Sequence, residues 1–272
     1  MNRDYGVIKY PRTPHIEGSR LQPGDEDLAQ RSFSEIAGRH IVIEEKIDGA
    51  NTAVSFNPAG ELLLQSRGHY LTGGWRERHY NLFKQWASIQ RDALWNALGY
   101  RYVMYGEWLY AKHSIYYDAL PHYFMEFDIL DRETDRFLDT PSRRAITSEL
   151  PVCSAAVLAE GEFHRMEDVL RYLGDSNYIT ADHIGHLRAA AEREGQDADR
   201  ICQETDPCRT MEGLYIKVEE GGEVADRMKF VRASFLQVVE ESKTHWLERP
   251  IIPNGLTRPI DVLFLPTLEG RE

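Results

Sequence analysis

Val42-Ile43-Glu44-Glu45-Lys46-Ile47-Asp48-Gly49-Ala50-Asn51 is the stretch on which the reading of this chain turns. Val42 and Ile43 lead in as a strand, Thr52-Ala53-Val54-Ser55-Phe56 leads out as another, and a tight Lys-x-Asp-Gly turn lies between them. A solvated surface lysine needs no such frame. A nucleophilic lysine needs a rigid turn, partial desolvation and nearby cations to lose its proton near neutral pH. The plainer alternative is a β-hairpin whose Asp-Gly turn happens to follow a lysine, since Asp-Gly is a common hairpin signal. The rest of the chain has to decide between them.

The chain has 272 residues with 42% apolar content, enough for a substantial core in one large or two modest domains. No apolar run has the length of a membrane span, and MNRDYGVIKYPRTP lacks the apolar stretch of a signal peptide. The expectation is a soluble, cytoplasmic protein with no membrane partner. Cys153, Cys202 and Cys208 are sparse and odd in number, which predicts reduced thiols and neither a disulfide framework nor a structural zinc site. The net charge of −12 argues at first against a polyanionic partner. Its distribution weakens that objection: residues 151–223 hold 16 acidic and 7 basic side chains, so the remainder is close to neutral and leaves room for a basic groove.

Working outward, the opening piece Tyr5-Gly6-Val7-Ile8-Lys9-Tyr10-Pro11-Arg12-Thr13-Pro14-His15 is extended and proline-punctuated, with Lys9, Arg12, His15 and Arg20 as candidate phosphate contacts or a solvated arm. A turn is expected at Gln22-Pro23-Gly24-Asp25 and a short helix from Glu26 to Ile36. Beyond the lysine turn, Leu62 to Ser66 reads as a strand ending at Arg67-Gly68, and Tyr80 to Leu98 as one helix with Leu82, Phe83, Trp86, Ile89, Ala93 and Leu94 inward. Tyr102 to Leu109 reads as a buried strand carrying one acid, Glu107, which is costly unless paired or held for a ligand. Tyr123 to Leu130 repeats the pattern with Glu126 and Asp128, and its Phe124 and Phe127 suit either core packing or stacking on a base.

From Asp139 to Arg209 the period changes to helical. Helices are expected from Thr140, around Met166, Val169, Leu170 and Leu173, and from Thr180 with Ile184, Leu187 and Ala191 inward, as an acidic insertion at about 140–209. Strands return at Met211 to Val218 and Arg227 to Arg232 around a Gly221-Gly222 turn. On one uninterrupted strand Glu212 and Lys217 face opposite sides, so both serve one site only if Glu212 sits at the strand's mouth or the strand bulges.

The order Lys46-x-Asp48-Gly49-x-Asn51, Ser66-Arg67-Gly68, Gly106-Glu107-Trp108, Phe127-Asp128-Ile129, Glu212-Gly213-Leu214-Tyr215-Ile216-Lys217 and Lys229-Phe230-Val231-Arg232 resembles the six collinear motifs of covalent nucleotidyltransferases, the polynucleotide ligases and RNA capping enzymes. Asn51 and the compact length most resemble the ATP-dependent RNA ligases of the nick-sealing type. Each motif alone is weak; their order gives the resemblance its weight. It implies an α+β fold of antiparallel sheets flanked by helices, a nucleotidyltransferase ligase domain with an ATP-grasp-like groove over 1–240, and a tail over 241–272. Only about 40 residues follow the last motif, and a five-stranded oligonucleotide-binding barrel needs roughly twice that.

The resemblance also implies roles. Lys46 would attack the α-phosphate of ATP to form a lysyl-AMP phosphoramidate, the adenylate would pass to a 5′-phosphate, and a 3′-hydroxyl would displace AMP. Lys217 and Lys229 would neutralise the α-phosphate and depress the Lys46 pKa, and Glu212 would orient the water shell of Mg²⁺, with Mn²⁺ as the alternative. Arg67 and Glu107 would hold the ribose, Phe127 would stack on adenine, Glu44 or Glu45 would meet the adenine edge, Asp48 would add to the nucleotide contacts, and Asn51 would contact phosphate or a strand end. The family's last motif usually has two lysines one residue apart. Here Val231 occupies the second position, so either Arg227 and Lys229 form the pair or Arg232 substitutes. The implied partners are RNA ends, with DNA or hybrid ends as alternatives, together with RNA-repair proteins. The competing readings are a DNA ligase or capping guanylyltransferase, and a nucleotide-binding module without catalysis.

Overall fold

The computed structural model describes residues 6–21, 28, 30–236 and 249–265. The expected turn at residues 22–25 lies outside these. In chain order the strands are β1 (His40–Lys46), β2 (Ala50–Phe56), β3 (Leu62–Ser66), β4 (Tyr102–Trp108), β5 (Phe124–Asp131), β6 (Arg136–Phe137), β7 (Cys153–Ser154), β8 (Val157–Glu162), β9 (Gly213–Glu220) and β10 (Glu223–Val231). The helices are α1 (Asn81–Ile89), α2 (Arg91–Leu98), α3 (Thr140–Thr147), α4 (Met166–Leu170), α5 (His183–Arg193) and α6 (Ala198–Gln203). One sheet has the order β10-β9-β1-β8; the other runs β3-β2-β4-β5-β6 with β7 on β5. All pairs are antiparallel except β5 with β7.

The lysine turn is not a hairpin. β1 and β2 belong to different sheets, so residues 47–49 carry the chain from one sheet to the other. The hairpin lies elsewhere, between β9 and β10, where Gly221 and Gly222 take φ of +63° and +90° as a primed two-residue turn requires.

Alternation along the strands assigns the faces. On the first sheet Ile41, Ile43, Leu214, Ile216, Val218, Met228 and Phe230 form an outer apolar cluster. The residues between them point the other way, and the register places Glu44 opposite Tyr215 and Tyr215 opposite Lys229, and Val42 opposite Lys217 and Lys217 opposite Arg227. On the second sheet Val54, Phe56 and Met104 pack with Phe83, Trp86 and Leu94 in the main core. Ala53, Val103, Tyr105 and Leu130 form the opposite face with Tyr10. The first sheet thus buries one apolar side and turns polar residues inward, whereas the second carries apolar clusters on both faces, with Tyr10 packed on the inner one.

Several elements differ from expectation. Glu26–Ile36 is not a helix among the described residues; only Phe33–Glu35 coils, as a 3-10 turn closed by a Ser32/Glu35 capping box. The helix expected over 80–98 is two, α1 and α2, broken at Gln90, whose amide donates to Leu265 O at 2.9 Å. Ile89, expected inward, sits at that break and is 60% exposed. The acidic block is not helical throughout: β8 lies within it and pairs along β1, directly beside the strand that ends in Lys46. The helix expected from Thr140 is α3, started by Asp139 Oδ1 accepting from Ser142 N at 2.9 Å.

Candidate active site

A cleft of ≈ 520 Å³ opens between the two sheets, and Lys46, Asp48, Gly49, Asn51, Arg67, Glu107, Phe127, Glu212 and Lys229 all line it. That volume suits a small organic ligand the size of a nucleotide. Lys46 is the last residue of β1, and its Nζ donates to Glu212 Oε1 at 2.6 Å. Glu212 directly precedes β9, the strand-mouth position that lets it share a site with residues of opposite parity. In the register Gly213 lies opposite Lys46.

The turn after Lys46 is clamped from outside the cleft. Asp48 Oδ2 accepts from Ser114 N at 2.8 Å and from Ile115 N at 3.0 Å, while Asp48 N donates to Tyr117 Oη at 2.8 Å. Gly49 leaves no room for a side chain, since a Cβ there would stand 2.6 Å from Leu109 Cδ2 and 2.9 Å from Trp108 O. These contacts supply the rigid frame that the motif demands.

The electrostatics depart from expectation at Lys46. Burial alone would lower its pKa, but Glu212, Glu107 and Asp48 outweigh burial and hold the amine above the ordinary lysine range. Burial also raises Asp48 and Glu212, and pushes Glu107 up to about 8 with further help from the charges of Glu212 and Asp48. At neutral pH the protonated Lys46 paired to Glu212 is the arrangement this geometry favours. Of the two cations expected to depress the Lys46 pKa, Lys229 lines the cleft and Lys217 is committed elsewhere.

Lys217 is one of them. It is fully buried, its amine lies 2.8 Å from Glu44 Oε2 and 3.1 Å from Asp128 Oδ1, and it also donates to Phe127 O. It stands beneath the cleft and is not among the residues that line it. Arg143 of α3 lies in the same layer, 2.5 Å from Glu44 Oε1 and 2.8 Å from Glu126 Oε1. Arg227 lies 3.7 Å from Asp128 Oδ2, and its guanidinium stacks 3.8 Å from the Phe137 ring centroid. Burial would raise Asp128, yet Lys217, Arg227 and Arg143 hold it below the usual carboxylate range.

The register of the last motif follows. Lys229 reaches the cleft, Arg227 serves the buried network on the same face of β10, and Arg232 turns away to pair with Asp206 and to donate to Met211 O at 2.8 Å. Glu44 and Glu45 both line the cleft, but their carboxylates already have protein partners: Glu44 in the network, Glu45 on Ser176 Oγ at 2.5 Å and Asn177 N at 3.0 Å. Phe127 is partly exposed in the cleft, whereas Phe124 is core. Arg67 is exposed at the rim.

The N-terminal arm contributes different residues from those expected. Lys9, Arg12 and Arg20 are exposed, and His15 is buried with its Nδ1 2.7 Å from Ser19 Oγ. Instead Tyr10, Pro11 and Thr13 line the cleft. The arm spans both sheets: Ile8 O accepts from Gln65 Nε2 and from Tyr105 Oη, each at 2.8 Å, while Ile16 N donates to Lys229 O at 3.0 Å. Tyr10 Oη donates to Asp128 Oδ2 at 2.5 Å, and its ring meets Phe127 edge-on at 5.1 Å. The lone carboxylates in apolar strands signalled that partners must exist; nothing local identified Tyr10 or Arg143 as those partners.

A sequence profile of the RNA ligase family matches residues 39–231. Solved structures of similar fold include mutant forms of the RNA ligase of Naegleria gruberi. Two, solved with ATP and Mn, have TM-scores of 0.51 and 0.52, 14% and 15% identity, and matches covering 85% of this chain and 58% of theirs. An apo mutant has a TM-score of 0.52 at 14% identity, covering 86% of this chain and 58% of its own. The chain therefore spans 58% of the length of these structures, which establish a shared fold. No curated protein matches the chain. The family match runs from just before the strand that ends in Lys46 to the end of the strand that carries Lys229, well over half of the sequence, and the chain belongs to the RNA ligase family.

Proposed function

We propose that this chain is an ATP-dependent RNA ligase with a nucleotidyltransferase fold, joining 3′-hydroxyl and 5′-phosphate ends through a covalent adenylate on Lys46. The observation that carries the reading is the placement of the Lys46 amine: at the junction of two sheets, in the lining of a cleft, clamped through Asp48 and hydrogen-bonded to the buried acid Glu212. The ATP and Mn present in the Naegleria structures support the same choice of nucleotide and divalent ion.

In the first step the amine passes its proton to Glu212, the acceptor already 2.6 Å away. Its lone pair then attacks the α-phosphorus, the N–P bond forms, the P–O bond to the β-phosphate breaks, and pyrophosphate leaves with the electron pair. Lys229 faces the developing charge from β10, and Phe127 offers a ring to the base. In the second step an oxygen of a strand's 5′-phosphate displaces the lysine, which takes back a proton. In the third, the 3′-hydroxyl oxygen attacks that 5′-phosphorus as its proton passes to water, the phosphodiester P–O bond forms, the P–O bond to AMP breaks, and AMP departs with the electron pair. Because each step is a phosphoryl transfer, in-line placement and charge neutralisation supply most of the catalysis. Lys217 acts from below: by holding Glu44, Asp128 and Phe127 O it fixes the cleft floor.

A divalent cation, when bound, would neutralise phosphate charge. Among the described residues no three His, Cys, Asp or Glu side chains converge into a cage for it. Glu212 and Glu107 both line the cleft, and an ion that keeps most of its waters and takes few carboxylates would be held there through Glu107 while Glu212 carries the Lys46 proton.

The test is incubation with α-labelled ATP and Mg²⁺ followed by denaturing electrophoresis. Label is expected on the wild-type chain and absent from Lys46→Ala, with Glu212→Ala strongly impaired although folded. Label from GTP alone would replace this reading with a capping activity, and no label from either nucleotide would leave a binding module. Nicked duplexes and single strands of RNA, DNA and hybrid then define the ends joined.

A further inference from the structure

Phe127 is the residue of β5 that faces no partner across the ladder. In the register of β4 with β5, Tyr105 lies opposite Asp128 and Gly106 opposite Glu126, so Phe127 is the extra residue of a β-bulge. A bulge releases one residue from the ladder and re-aims its side chain. It lets the sequence neighbours Phe127 and Asp128 both reach Tyr10, where a regular strand would send them to opposite sides. The carbonyl is recovered, because Lys217 donates to Phe127 O. The ring is left partly exposed in the cleft, and its orientation depends on what packs beside it.

Tyr10 of the N-terminal arm packs beside it and is itself held firmly. It is 9% exposed, and its ring meets Tyr105 at 5.1 Å and Phe137 at 5.5 Å, both edge-on, with the Arg227 guanidinium 5.3 Å from its centroid. Burial and the charge of Asp128 hold the phenol well above its usual range, so the hydroxyl keeps its proton and donates to Asp128 Oδ2 at 2.5 Å. The same oxygen is hydrogen-bonded to Tyr215 Oη, which lies 3.0 Å from Thr13 Oγ1. Asp128 belongs to one sheet and Tyr215 to the other, so a single hydroxyl ties the arm to both. Pro11 adds to this by disfavouring a helical backbone at Tyr10.

From that fixed position the edge of Tyr10 meets Phe127 with centroids 5.1 Å apart and planes at 86°, the perpendicular geometry that aromatic quadrupoles favour. Tyr215 is the looser neighbour, 6.2 Å from Phe127 and tilted by 48°. The one ring in the cleft that a bulge has freed from its strand is therefore steadied chiefly by a tyrosine from the opposite end of the chain.

We propose that Tyr10 is a positioning residue for the nucleotide base: it takes no part in the chemistry, and it holds the Phe127 ring at the angle from which that ring stacks on the purine. This role rests on the proposed ligase reading for the nucleotide that enters, and adds to it the arm residue that sets the base platform.

The test is equilibrium binding, read by titration calorimetry in Mg²⁺ with two ligands. One is the α,β-methylene analogue of ATP, which carries the base but cannot adenylate Lys46. The other is inorganic tripolyphosphate, which has no base. Tyr10→Leu is expected to weaken the analogue by about 3- to 10-fold, the worth of one edge-on aromatic pair, and to leave tripolyphosphate within about 1.5-fold. Tyr10→Phe keeps the ring edge and binds both ligands within about 1.5-fold of wild type. Phe127→Leu itself weakens the analogue, and Tyr10→Leu added to it costs less than about 1.5-fold more, because the platform through which Tyr10 acts is gone. Wild-type affinity for the analogue in Tyr10→Leu overturns the role. Equal losses on both ligands, or independent losses in the double variant, also overturn it, since each marks a tyrosine that only supports the fold. If Tyr10→Leu does not fold, the other two variants decide. The role stands when Phe127→Leu alone weakens the analogue, and falls when Tyr10→Phe weakens it as much or when Phe127→Leu binds it as wild type does. Labelling of Lys46 from ATP is measured in parallel on the wild-type chain. A chain that labels but shows no base-dependent loss in Tyr10→Leu keeps the proposed enzyme and loses this role; one that shows the loss but never labels loses the enzyme and keeps the platform.

Discussion

Arg143 offers the most direct quantitative test of the cleft floor. Its two terminal nitrogens lie 2.5 Å from Glu44 and 2.8 Å from Glu126, and all three side chains are at most 1% exposed. Around them Lys217 and Arg227 face Asp128, so Arg143, Lys217 and Arg227 balance Glu44, Glu126 and Asp128 charge for charge. Arg143→Met retains an unbranched apolar stem and removes the cation, leaving one buried negative charge uncompensated. Breaking a buried pair in this way costs ~3–5 kcal/mol. At ~2–4 °C of melting temperature per kcal/mol for a chain of roughly this size, the midpoint should fall by about 6–20 °C. Adding Glu126→Gln restores the balance, because Ser154 Oγ still donates to that side chain at 2.7 Å, and the double variant should regain more than half of the loss. Differential scanning calorimetry at pH 7 reads both values. A melting temperature within about 2 °C of wild type for Arg143→Met would refute the premise that this network is load-balanced and buried.

Glu107, whose carboxyl is pushed from 4.5 to about 8, binds more protons folded than unfolded, so stability is lost as pH rises from about 4.5 through about 8. Glu107→Gln should flatten the denaturation midpoint across that window, and an unchanged pH profile would show that the acid titrates normally. Gly49→Ala, which forces a Cβ against Leu109 and the Trp108 carbonyl, should destabilise the fold by ~1–3 kcal/mol and slow Lys46 labelling; chemical denaturation and the labelling assay check both.

The strands were largely legible because their alternation and their glycine turns are local properties of the sequence. β1, β2, β4, β5, β9 and β10 all fall where the pattern places them, and the need to seat Glu212 at a strand mouth was visible from its spacing to Lys217. Sheet membership was not legible. A Lys-x-Asp-Gly turn between two strands has the same local signature whether those strands pair or part, and only the register of β1 with β8 and β9 excludes the hairpin. The network was half legible. Glu107, Glu126 and Asp128 stood out as acids in apolar strands, but Arg143 meets Glu44 across 99 residues and Tyr10 meets Asp128 across 118, separations that carry no periodic signal. The expectation of a depressed Lys46 pKa failed for the same reason. It counted Lys217 and Lys229 without seeing that buried acids had claimed Lys217 and that Glu212, Glu107 and Asp48 stand around the Lys46 amine itself.

The crossover at residues 47–49 has a mechanical corollary. Two blades joined by a rivet sweep widely at their tips and hardly at all at the pin, and here the pin is next to the amine of Lys46, the proposed nucleophile. Breathing of the groove on whatever scale admits and releases its occupants would displace the rim at Arg67 far more than the amine of Lys46. In the proposed reaction, the position from which in-line attack starts would thereby be insulated from any opening of the groove.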